Sequence, residues 1–181
     1  MTKPTLFAGL ALLAACGGRD APEPVRPGMV LTAPPDSVSP DARYLFYLHG
    51  RIIEERGVRP ESPRYGVYEY QAILDTLAQK GLVVISEARP AGTDVQAYAE
   101  KVVTQVRQLL EAGVPPARIT VVGFSKGGGI AILTSALLGN ESVNFVFLAA
   151  CGDLLMASGV PHISGRVLSI HEISDKLGGS C

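Results

Sequence analysis

Apolar and polar positions along the chain follow two rhythms, and each rhythm marks a kind of element. Short continuous apolar runs at Tyr44–Leu48, 82–85, 119–122, 143–149 and 167–173 predict five buried strands. A briefer run at 29–32 adds a short edge strand. Between the runs the spacing lengthens. Tyr70, Ile73, Leu74 and Leu77 recur at helical intervals, with Gly81 placed as a C-terminal cap. Val95, Ala99, Val102, Val106 and Leu109 share one face of a longer helix, opened by Thr93-Asp94-Val95-Gln96 in the form of a capping box. Residues 130–138 are apolar on every side, as suits a helix buried against a sheet. Strands rich in Val, Ile and Leu, separated by helices, predict an α/β fold with a mostly parallel, doubly wound sheet of about five strands. Ligands bind such sheets beyond the C-terminal strand ends. His49, Ser125, Cys151 and Asp175 all fall at or just past such ends and should gather on one rim.

Composition narrows the function classes. At 181 residues the chain suits one folded domain. A net charge of -1 with 18% charged residues gives no electrostatic basis for binding nucleic acid. No metal-ligand or cofactor pattern is read in the sequence. Part of the 47% apolar content sits at the N-terminus, where Lys3, the apolar stretch 6–15 and the small residues before Cys16 form an export signal over 1–15. That stretch is too short to span a bilayer, which needs about 20 apolar residues. Leu13-Ala14-Ala15-Cys16 resembles the lipobox of bacterial lipoproteins. The resemblance implies a lipidated Cys16 as mature N-terminus and membrane attachment through it. With Gly17 rather than aspartate next, it implies the outer membrane rather than the inner. The alternative is an ordinary secretory signal. Residues 16–40, dense in proline and glycine, predict a flexible tether, and 41–181 the folded domain. With Cys16 lipidated, Cys151 and Cys181 remain as the expected disulfide pair in an oxidising compartment.

Residues 119–129 read Ile-Thr-Val-Val-Gly-Phe-Ser-Lys-Gly-Gly-Gly, a buried strand running through Gly123-Phe124-Ser125-Lys126-Gly127 into a helix. This Gly-x-Ser-x-Gly turn needs small neighbours because it is tight and strained, and it presents Ser125 outward as a nucleophile. The amide of Lys126, at the helix start, is then set to face a developing oxyanion. A purely structural strand-to-helix turn is the alternative. From 43 to 175 the order of elements resembles an α/β-hydrolase. Three motifs carry the likeness: His49-Gly50 after the first strong strand, the serine elbow, and an acid after the last strand. The resemblance implies a serine hydrolase acting on small-molecule ester or acyl substrates without a cofactor. It implies a second oxyanion amide from Arg51, a structural His49, and Asp175 as the acid of a catalytic triad, with Asp153 as the other candidate.

The chain also departs from that pattern. The family order is serine, acid, histidine, and none of residues 176–181 after Asp175 is histidine. His162 is expected at the opposite rim and His171 inside a strand as a core or edge residue. A C-terminally truncated, incomplete fold without its general base is therefore expected. The segment 51–65 reads as a long loop rich in Arg and Glu. Either Arg51 or Arg64 meets an anionic substrate group there, or the loop is a solvated surface whose charges cancel. Cys151 lacks an activating histidine, so a disulfide or a buried thiol is expected rather than a nucleophile. Two functions remain open: a lipid-anchored envelope serine hydrolase, inactive or weak in this form, or a non-catalytic envelope binding protein on the same scaffold.

Overall fold

The apolar strands of the sequence line up in one six-stranded sheet in which every neighbouring pair is parallel. The computed structural model describes residues 25–152, 159 and 161–174. In chain order these hold β1 (Val30–Leu31), β2 (Tyr44–Leu48), α1 (Arg51–Arg56), β3 (Glu61–Ser62), β4 (Gly66–Val67) and α2 (Tyr70–Gln79). Then come β5 (Val83–Ile85), α3 (Val95–Glu111), β6 (Ile119–Phe124), α4 (Lys126–Leu138), β7 (Asn144–Leu148) and β8 (Arg166–Ile170). The sheet order is β1-β5-β2-β6-β7-β8, and β3 and β4 pair as a separate antiparallel hairpin.

β2 shows why the strands read as unbroken apolar runs: all five of its residues are buried, because both faces of the sheet are covered. Tyr44, Phe46 and Leu48 face the core formed with α3 and α4, where Val102, Val106, Leu109, Ile130 and Ile132 are buried. Leu45 and Tyr47 face the opposite core, with Ile53 of α1 and Tyr70, Leu74 and Ala78 of α2. This is a doubly wound arrangement. From β2 the chain moves out to β5 on one side and then to β6, β7 and β8 in turn on the other, so the direction reverses between β2 and β6. The crevice at the C-terminal ends of those two strands is therefore the topological switch point, where open α/β sheets bind ligands.

The expected short edge strand forms and pairs with β5, which brings the main sheet to six strands. Several expectations are corrected. That strand lies within the segment assigned to the tether, and Val25, Leu31 and Val38 also pack against the core, so the fold takes in 25–40. The predicted loop 51–65 instead holds α1 and most of the β3–β4 hairpin. α3 begins one residue later than the capping box implies: Asp94 is the N-cap, accepting from the Ala97 amide at 2.8 Å, while the Thr93 hydroxyl turns back to Pro90 O. β8 ends at Ile170, short of residue 173. Among the described residues no helix is long and apolar enough to cross a membrane.

Candidate active site

β6 ends at Phe124 and α4 begins at Lys126, so Ser125 alone makes the turn, with φ 53° and ψ -118°. That conformation costs a non-glycine residue about 1–3 kcal/mol and persists only where the surroundings fix it. Here they do: the Ser125 amide donates to Leu148 O at 2.9 Å, and its carbonyl accepts from the Gly129 amide at 3.1 Å. The flanking glycines are sterically required. A Cβ on Gly127 would lie 1.9 Å from Leu48 O, and one on Gly123 would lie 2.2 Å from Gly127 O. Ser125 is exposed, and its hydroxyl has no hydrogen-bond partner among the described residues. The Lys126 amide, the first of α4, lies in the turn whose N–H groups have no intrahelical acceptor.

Across the crevice, β2 runs into His49 and Gly50, the N-cap of α1. A Cβ on Gly50 would sit 3.1 Å from Phe124 Cδ1 and 3.6 Å from Ser125 Cβ, so this turn presses directly on the elbow. Arg51, the expected second oxyanion donor, is the first residue of α1. His49 is fully buried. Its Nε2 accepts from the Arg89 amide at 2.9 Å, which assigns the ring proton to Nδ1 and makes Nδ1–H the donor to Gly50 O, also at 2.9 Å. Burial first, and then the Arg89 charge, lowers the His49 pKa to about 4. The ring is neutral and both its nitrogens are engaged, so His49 braces the turn and is not free to accept a proton.

Behind this turn lies an ionic cluster that the sequence did not disclose. Glu54 of α1 accepts from Arg89 Nε at 2.9 Å through Oε1 and from Lys126 Nζ at 2.5 Å through Oε2. The three side chains are 1%, 0% and 13% exposed, in the order Glu54, Arg89, Lys126. Burial pushes the Glu54 carboxyl up, but the bonds from Lys126 and Arg89 outweigh it and hold the group below its ordinary range. Lys126 Nζ also donates to Thr93 O at 2.6 Å. Arg89 Nη2 donates to His49 O, the guanidinium lies 5.2 Å from the Tyr98 ring centre, and Nη1 is buried without a hydrogen-bond partner. The expectation of a solvated loop at 51–65 fails at Glu54. A cleft of about 410 Å³ opens here, with Arg51, Glu54, Thr93, Asp94 and Lys126 in its wall. One signal was available in the sequence: Arg89 follows a buried strand on the ligand-binding rim, where a charged residue has chemical use.

The remaining expected residues are spread more widely. Asp175, its alternative Asp153, Cys181 and Cys16 lie outside the described residues. Cys151 is buried just past β7, and Cys181, its expected disulfide partner, lies outside the described residues. His162 is exposed ahead of β8, on the rim opposite Ser125. His171 is exposed one residue past β8, not inside a strand as expected. Because Phe124, Leu148 and Ile170 are in register, His171 shares the rim of Ser125, two strands away. Among the described residues no group of His, Cys, Asp and Glu is set to hold a metal ion.

No family model matches the chain. Over 111 residues it is 31% identical to an acetyl-hydrolase of Streptomyces hygroscopicus, a match that takes in 61% of this chain and 35% of that protein. The chain thus spans about a third of the length of the curated relative it matches. This similarity and the parallel, helix-flanked sheet together fit a hydrolase fold.

Proposed function

We propose that this chain is a serine hydrolase acting on esters of small acyl groups, with Ser125 as nucleophile. The observation that carries the reading is the strained, exposed Ser125 at the sheet's switch point, held between glycines that admit no side chain. In this mechanism Ser125 Oγ bonds to the acyl carbon as its proton passes to a base. The carbonyl electrons move onto oxygen, where the amides of Lys126 and Arg51 receive the charge. Collapse of the tetrahedral species breaks the bond to the alcohol, which leaves with a proton, and water then cleaves the acyl-enzyme. The similarity to an acetyl-hydrolase supports a short acyl group. Asp175 would orient the base histidine. The chain's three histidines offer none in place: His49 is committed to backbone, His162 is on the far rim, and His171 is two strands from Ser125. We read this form as weakly active for that reason. The Cys16 pattern supports lipid anchorage in the envelope, at the outer membrane. A non-catalytic binding protein is the second reading, favoured by the placement of all three histidines away from the Ser125 hydroxyl.

The test is hydrolysis of 4-nitrophenyl acetate by the 181-residue chain and by Ser125→Ala. A slow rate that Ser125→Ala abolishes is expected, about 10⁴–10⁶ below an intact triad. No difference between the two proteins favours the binding protein. Robust Ser125-dependent turnover would instead point to His171 as the base. For the anchor, intact mass of the membrane fraction should show a chain beginning at a diacylglyceryl-modified Cys16. A soluble form with unmodified Cys16 would refute it.

A further inference from the structure

We propose that Glu54 is a positioning residue for the oxyanion hole: its carboxylate, shared by Lys126 Nζ and Arg89 Nε, fixes the separation of the Arg51 and Lys126 amides. The proposal rests on reading those amides as the oxyanion donors.

The need for such a clamp follows from the elements. The two amides sit at the starts of different helices, on either side of the β2–β6 crevice. α4 is long and buried, so the attitude of its first turn is set by the sheet. α1 has only six residues, too few to be a stable helix by itself. Ile53 anchors it in the core, but apolar contact is non-directional and permits rotation about the helix axis. Glu54 lies three residues after Arg51, hence on the same face one turn along. A directional bond at Glu54 therefore fixes the Arg51 amide as well. The other end of that bond is the side chain of Lys126, the residue whose amide faces the same oxyanion. Arg89 takes the second carboxylate oxygen and ties it to the end of β2, through its amide on the His49 ring and its guanidinium on His49 O. The arrangement ties the starts of the two helices and the end of β2 together through four hydrogen bonds.

A buried ion pair gains little stability over apolar groups of the same volume. Its advantage is direction, which an oxyanion hole requires, because donors must meet the oxygen of the transition state and not merely that of the substrate. Loss of the clamp should therefore lower kcat and spare KM.

Glu54→Gln keeps the shape but removes the charge that serves two cations. The expected result is a fall of about 10–100-fold in kcat for the Ser125-dependent hydrolysis of 4-nitrophenyl acetate, with KM within about twofold. Hydrogen exchange read by NMR should quicken by about tenfold at the Ile53 and Gly57 amides, which are hydrogen-bonded within α1 to Gly50 O and Ile53 O, and stay unchanged at Val121 and Phe145 in the central strands. Lys126→Met, which keeps the amide and removes the ammonium, should shift the same observables and decides the matter if Glu54→Gln does not fold. A folded variant with wild-type kcat and unaltered exchange at both amides overturns the proposal. If Ser125→Ala hydrolyses the ester as fast as wild type, the nucleophile reading fails, and the exchange measurement alone still decides whether Glu54 holds α1, and with it the Arg51 amide, in place.

Discussion

His49 has a donor on one ring nitrogen and an acceptor for the other, which makes its charge state a folding variable. Its pKa in the fold is about 4, against an ordinary value of 6.5. As pH falls through 6.5 the unfolded chain takes up the proton first, so the stabilisation is complete above that value and declines toward pH 4. Between pH 7.5 and 5 the loss should be about 2 kcal/mol, read as a lower urea midpoint with unchanged slope. The depressed carboxyl of Glu54 acts with the same sign: its contribution is present above the unfolded carboxyl range and is lost as pH falls through the folded value. A urea midpoint level across this window would contradict a neutral, buried His49. The direct check is the His49 ring signal in NMR, which should titrate only below about pH 5.

Glycines in the first turn of α4 separate steric demand from mere tolerance. Gly127 faces Leu48 O so closely that an added methyl has no room, whereas Gly129 has nothing within 4 Å of its would-be Cβ. Gly127→Ala should cost about 3 kcal/mol or more through backbone displacement. Gly129→Ala should stabilise α4 by about 0.5–1 kcal/mol, since alanine is the better helix former. Urea unfolding of the two variants checks both signs. At the start of α3, Asp94→Ala should cost about 1 kcal/mol through loss of its bond to the Ala97 amide. Thr93→Ala at the neighbouring position should cost measurably less. The elbow was legible in the sequence because its strain demands particular residues at fixed spacing, and β2 because burial on both faces leaves a continuous apolar run. α1 was not. Six residues are too few to show a helical period, and Glu54 reads as a surface charge until its partners are known. Those partners lie 35 and 72 residues along the chain, at Arg89 and Lys126, a separation that local pattern does not encode.

The whole molecule is organised about the reversal between β2 and β6, and the outermost strand on the β5 side bears on where the domain begins. Composition assigned 16–40 to a tether, because proline and glycine dominate it. The structure instead gives 25–40 three kinds of attachment. β1 is parallel to β5, with Val84 N donating to Met29 O at 2.9 Å and Ser86 N to Leu31 O at 2.8 Å. Val25, Leu31 and Val38 pack against one core and Val30 against the other. The Ser39 amide donates to the Tyr44 hydroxyl at 3.0 Å, closing the approach to β2. Each half-buried apolar side chain contributes about 1 kcal/mol, and the exposed β5 edge would lose its hydrogen-bonding neighbour. A chain beginning at residue 41 should therefore be less stable than one beginning at residue 25 by about 3–4 kcal/mol, a large part of the stability of a domain this size. It should also tend to associate through the bared edge of β5. Urea midpoints and light scattering of the two truncated proteins provide the comparison. Equal midpoints would mean that β1 is dispensable and that the tether extends to residue 40, as composition alone suggests.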